Sequence, residues 1–140
     1  MKYRADQFSR VVHLLNAASY GAAAEAFSTA ADCQGYREGL LIINVGIITA
    51  TGDVTIQCEH SHDNSTWVDI TGATLVDTEF TVANDQTTYV ARINLESIRR
   101  YFRVGYDVDD DAAIMSMDLV LLHPKYGPAT QVNTLQFNIA

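Results

Sequence analysis

The sequence predicts an all-β fold, an antiparallel β-sandwich of jelly-roll-like form with an arm at each end, and three observations carry that prediction. Between residues 32 and 123, β-branched and aromatic side chains fall into short runs separated by clusters of Gly, Asp, Asn, Ser and Thr, the spacing of successive antiparallel strands. Within most runs apolar and polar residues alternate, the period of two that a strand with one buried face requires. At 48% hydrophobic and 19% charged over 140 residues, the chain can build a true core. A protein of this mass buries about two thirds of its unfolded surface, so neither a metal nor a disulfide framework is needed to stabilise it.

Residues 40–49, LLIINVGIIT, form the longest apolar run and are expected to be a central strand buried on both faces, with Gly46 at a bulge or a close approach. Val54, Ile56 and Cys58 alternate with Thr55, Gln57 and Glu59, and the hydrophilic stretch 61–65 turns the chain into residues 67–70 as a hairpin. Residues 74–82 read as a second edge, with a turn over 83–86. The strand 88–95 sets Tyr89, Ala91, Ile93 and Leu95 on one side. One helical turn is expected over 96–98. Residues 100–108 put Phe102, Val104, Tyr106 and Val108 on one face, and Met115, Met117, Leu119 and Leu121 share a face after the acidic turn 109–111. So short a turn predicts that these last two strands pair.

The expected domain organisation is a sandwich body over 32–123, an N-terminal arm over 1–31 and a C-terminal arm over 124–140. Phe8, Val11, Val12 and Leu15 would share one face if the N-terminal arm were helical, and an extended arm is the alternative. Pro124 and Pro128 punctuate the exit from the last strand, and Val132, Leu135, Phe137 and Ile139 then alternate with polar residues. A body that already has its strands leaves these apolar ends in need of another surface. The uncharged run 11–24 is too short for a membrane span. A net charge of -8, with nine basic against seventeen acidic residues, argues against a nucleic-acid partner, whose grip needs clustered cations.

The chemistry-bearing clusters are weak. In CEHSHD, residues 58–63, His60 and His62 could share an ion, but a tetrahedral site needs donors from elsewhere, and polar histidines at a strand end are the simpler reading. Asp107, Asp109, Asp111 and Asp118 imitate calcium-loop positions without the turn glycine, Ala112 standing there instead, so a solvated hairpin turn is expected. No metal, cofactor or catalytic constellation is called for, and the chain is not expected to be an enzyme. Cys33 and Cys58 are expected as small buried hydrophobes, and their pairing stays open. Arg92, Arg99, Arg100 and Arg103 crowd into twelve residues. They read either as a contact surface for acidic patches of a partner or as intramolecular pairs with acidic residues on adjacent strands. Trp67 is either a plug in a core or interface or a platform for a sugar ring.

Over most of the body, DCQGY at 32–36, LLIINVG at 40–46, VTIQCEHSHDNSTWVDITGA at 54–73 and RRYFRVGY at 99–106 follow an order that resembles the head decoration, or capsid cement, proteins of tailed bacteriophages. The resemblance implies a β-sandwich on the exterior of a virion, bound to the major capsid protein and to copies of itself, with a homotrimer favoured. The residues expected to make capsid or subunit contacts are Phe8, Val11, Leu15, Arg99, Arg103, Leu135 and Phe137. Two alternatives stay open: a head-completion or tail-associated structural protein of the same virion, and a carbohydrate-binding β-sandwich module, since its hairpin also resembles parts of such modules.

Overall fold

Alternation of apolar and polar side chains sets the architecture, because each strand of period two has one face to bury and must find another such face. The computed structural model describes residues 9–71 and 78–125. Ten strands follow in order: β1 (Ser9–Tyr20), β2 (Ala23–Phe27), β3 (Ala31–Asp32), β4 (Tyr36–Ile48), β5 (Asp53–Ser61), β6 (Trp67–Asp69), β7 (Thr78–Thr81), β8 (Thr87–Asn94), β9 (Tyr101–Asp109) and β10 (Ala113–Pro124). A short 3-10 turn, Val82–Asn84, joins β7 to β8.

The strands form two antiparallel sheets. The first has the order β1-β10-β4-β8, and the second β2-β9-β5-β6, with β3 also beside β9 and β7 also beside β5. Each position of the first sheet is matched in the second by a chain neighbour: β1 by β2, β10 by β9, β4 by β5, and β8 by β7. This wrapping of a folded ribbon is the jelly roll, and the all-β sandwich expected from the sequence is the fold observed. Leu41, Ile43, Met117, Leu119 and Leu121 from one sheet and Ile56, Phe102 and Val104 from the other are fully buried between them.

Four expectations are corrected. β9 and β10 do not pair, since β9 lies between β2 and β5 and β10 between β1 and β4. Each carries a strong apolar face, and placing the two in opposite sheets buries both faces in the core. The acidic connection, with Asp110 at φ 62°, therefore crosses between sheets. β4 is central, between β10 and β8, but only one of its faces is buried. Leu41, Ile43 and Val45 are inside, whereas Leu40 and Ile42 are only half-buried and Ile47 is 53% exposed. The N-terminal arm does not extend to residue 31. Residues 9–20 pair with β10, residues 23–27 pair with β9, and Leu14 and Leu15 enter the core, so this stretch is strand and not helix. Its apolar spacing is irregular because β1 shifts register twice. Residues 96–98 form a turn rather than a helix, closed by Asn94, whose side chain accepts from Glu96 N–H at 3.0 Å and whose carbonyl accepts from Ser97.

Gly46 holds the role expected of it. The pairing of β4 with β10 slips by one residue there, and a Cβ at Gly46 would lie 3.0 Å from Cγ2 of Ile114. Cys33 and Cys58 are free buried thiols, and burial pushes both pKa values up to about 12.

Candidate functional site

The two sheets present outer faces of different composition. On the second sheet, β9 points Tyr101, Arg103, Gly105 and Asp107 outward, β5 pairs Glu59 with Arg103, and β2 pairs Phe27 with Gly105. Because Gly105 has no side chain, Phe27 lies across it; a Cβ there would meet Phe27 at 3.2 Å and Glu25 Oε1 at 2.9 Å. The guanidinium of Arg103 sits 3.7 Å from the centre of the Phe27 ring and 4.3 Å from that of Trp67, and its Nε donates to Glu59 Oε2 at 2.5 Å. Arg103 and Glu59 are 19% and 11% exposed, so this arginine is a stacked, charge-assisted clasp across β2, β9, β5 and β6.

Acidic side chains surround the clasp. Burial and the charges of Glu59, Asp107 and Asp69 hold the Glu25 carboxyl above its ordinary pKa. Farther along the sheet, burial together with Glu79, Asp109, Asp110 and Asp107 does the same to Asp53. This face repels anions.

The outer face of the first sheet mixes aliphatic side chains with polar ones: Asn44 joins Thr88 and Ser116 in a hydrogen-bonded row, and Glu38, Arg92 and Asp118 lie on the same face. Register aligns Arg92, Leu40, Val120 and Val11 in one row across β8, β4, β10 and β1, and Val90, Ile42, Asp118 and His13 in the next. Val90 is 59% exposed, Ile47 53% and Ile114 44%. The one ion pair in these rows is His13 Nδ1 with Asp118 Oδ1 at 2.7 Å, and this hydrogen bond raises the histidine pKa.

The expected contact residues separate accordingly. Val11 lies on the outer face of the first sheet, 38% exposed, while Leu15 is in the core and unavailable to a partner. Arg103 is occupied by its own fold. Arg99 is half-buried, and its backbone N–H donates to Nδ1 of His60 at 3.2 Å. Phe8, Leu135 and Phe137 lie outside the described residues. Of the arginine cluster, Arg100 grips Asp32 through two hydrogen bonds of 3.0 and 2.7 Å, so Arg100 and Arg103 follow the intramolecular reading. Phe27 and Glu59 were not legible as site residues; the glycine interrupting β9 was the one signal of a close approach.

The remaining clusters are structural in their geometry. Cys58 faces the core, and His60 is held below its ordinary pKa by burial and by the charges of Arg99 and His62. No group of three metal-binding side chains occurs among the described residues. Asp63 organises the hairpin tip, accepting from Ser61 Oγ and from the backbone N–H of Ser65 and Thr66, which pulls its pKa down to about 2. One face of the Trp67 ring is covered by Arg103, which removes that face as a sugar platform.

No family model matches the chain, and no curated protein matches it in sequence. Solved structures do match in fold. A chain in the structure of infectious bursal disease virus, strain Gx, aligns over 86% of this protein with 13% identity and a TM-score of 0.51, and this protein spans 34% of that chain. A chain from strain Gt of the same virus gives 14% identity, 86% and 36% coverage and a TM-score of 0.43. A chain of the disulfide-linked pili of Bacillus endospore appendages gives 16% identity, 88% and 97% coverage and a TM-score of 0.42. At these identities, the strain Gx likeness establishes a shared sandwich fold.

Proposed function

We propose that the chain is a structural protein of a virus particle, a decoration protein that sits on the outer surface of a tailed-phage capsid and tightens the junctions between capsomers. The observation that carries this reading is the asymmetry of the two outer faces. The first sheet's outer face, with Val90, Ile47 and Ile114 in solvent, resembles the centre of a protein interface, whereas the second sheet's outer face, where acidic side chains surround a 41% exposed Phe27, suits the outside of a particle. The jelly-roll wrapping, shared with a chain in the structure of a virus, supports the same role. The first sheet then meets the shell. Binding only the assembled shell stabilises it by mass action, and copies that also associate with each other gain avidity.

The test mixes purified protein with capsids that lack it and counts copies per particle. Ile47→Glu and Ile114→Glu should abolish binding, while Glu25→Gln on the opposite face should bind as the unmodified protein does. Deletion of residues 1–8 and 129–140 measures the share of the chain ends and leaves every described strand in place. Equal binding by all of these variants would overturn the choice of face. A copy number limited to one vertex would favour the head-completion or tail-associated alternative.

A further inference from the structure

Three of the four sheet edges are broken among the described residues. β1 slips register between His13 and Leu15 and again between Leu15 and Ala18. One edge of the second sheet is divided between β2 and β3, of 5 and 2 residues, and the other between β6 and β7, of 3 and 4. β8 differs. Its 8 residues hold one unbroken register with β4, from Thr87 opposite Val45 to Asn94 opposite Glu38, and among the described residues it ends the sheet. An edge strand of this kind offers a row of backbone donors and acceptors to any second strand, and proteins ordinarily blunt it with bulges, Pro, Lys or inward charges. The sequence TTYVARIN has no Pro, Lys or inward charge and its pairing has no bulge. Its one charge, Arg92, points outward opposite Leu40, and its outward Val90 is the most exposed large hydrophobic residue of the described chain.

We propose that β8 is a self-pairing edge through which two copies join, antiparallel across a twofold axis, into one continuous sheet with four strands from each copy. Sheet geometry restricts the register, because outward residues must oppose outward residues. Centred on Val90, the pairing sets Val90 against the partner's Val90 and Thr88 against the partner's Arg92. On the inner face it sets Tyr89 against the partner's Ala91. Large side chains then meet small ones, no like charges are opposed, and the apolar row from Ile42 to Val90 continues into the second copy. The alternative centre, Ala91, would set each Val90 against an arginine. A second copy is therefore the occupant that this edge fits, whatever larger surface the dimer binds.

The test uses the full chain in solution. Sedimentation should show a concentration-dependent dimer, and Val90→Lys should weaken it by roughly a hundredfold, since the Val90 contact would be lost and like charges would stand on directly opposed positions whose Cβ atoms lie about 5 Å apart. Val90→Cys should form a disulfide-linked dimer under mild oxidation, the native thiols being buried with pKa values of about 12. Arg92→Cys should not, because its two copies would lie roughly 13 Å apart along the strands. A chain that stays monomeric, or one whose association survives Val90→Lys, overturns the proposal. Arg92→Cys crosslinking in preference to Val90→Cys also overturns it. Dimerisation that appears only after residues 126–140 are removed would show that the chain's own C-terminal segment covers the edge instead. None of these measurements requires a capsid, so they stand or fall apart from the shell-binding proposal.

Discussion

Replacing Arg103 with alanine should cost about 3–4 kcal/mol of folding stability, and the figure follows from what the guanidinium touches. Its hydrogen bond to Glu59 is charge-assisted, worth about 1.5–3 kcal/mol. Its two ring contacts, at 3.7 and 4.3 Å, add about 0.5–1 kcal/mol each. Substitution also leaves the Glu59 carboxylate, 11% exposed, without its counter-charge. For a chain of this length, with an unfolding entropy of about 0.3 kcal/mol per kelvin, the loss corresponds to a melting temperature roughly 10–13 °C lower. Thermal and urea unfolding followed by circular dichroism reads it directly. Arg103→Lys keeps the charge but loses the planar fork, and should recover less than half of the loss. In the double variant with Glu59→Gln the penalty should shrink by at least about 1 kcal/mol, because the stranded carboxylate is gone. A cost below about 1 kcal/mol for Arg103→Ala, or strict additivity with Glu59→Gln, would refute the account of Arg103 as a clasp across the sheet.

Four further outcomes are expected. Gly105→Ala should cost about 1 kcal/mol by pushing Phe27 and Glu25 aside, and the cost should largely vanish when Phe27 is also alanine, as measured by urea unfolding. Met117→Ala, at a fully buried position between the sheets, should cost about 2–5 kcal/mol through the cavity it leaves, whereas Val90→Ala should change monomer stability by under about 0.5 kcal/mol. The His13 pKa is raised, so its bond to Asp118 contributes fully below the ordinary value of 6.5 and is lost as pH rises through the raised value. NMR titration should show the shift, and Asp118→Asn should return it toward 6.5. The Asp63 pKa is lowered, so the hairpin tip is held fully above 3.8 and loosens as pH falls toward about 2, which amide exchange at Ser65 and Thr66 should report.

The alternating runs of the body specified both the existence of its strands and their inward residues, because a period of two leaves a strand only one way to bury its apolar side. Val54, Ile56 and Cys58 in β5 and Met115, Met117, Leu119 and Leu121 in β10 all point inward as the pattern requires. The hairpin from β5 to β6 and the slip at Gly46 were legible for the same local reasons. Partner choice was not. Whether β9 lies beside β10 or in the opposite sheet depends on which pairing buries the summed faces, a property of the whole chain and not of the turn between the strands. The bulges of β1 hid its period, and tertiary pairing alone made residues 9–27 part of the sandwich. The clasp likewise brings Phe27 of β2 and Arg103 of β9, far apart in sequence, onto Glu59 and Trp67 of the β5–β6 hairpin. Composition set the acidic balance and the supply of apolar residues. Only the fold decided that acidic residues would crowd around Arg103 on one outer face while Val11, Ile47, Val90 and Ile114 stood in solvent on the other, because the distribution over two faces depends on strand order as well as on sequence.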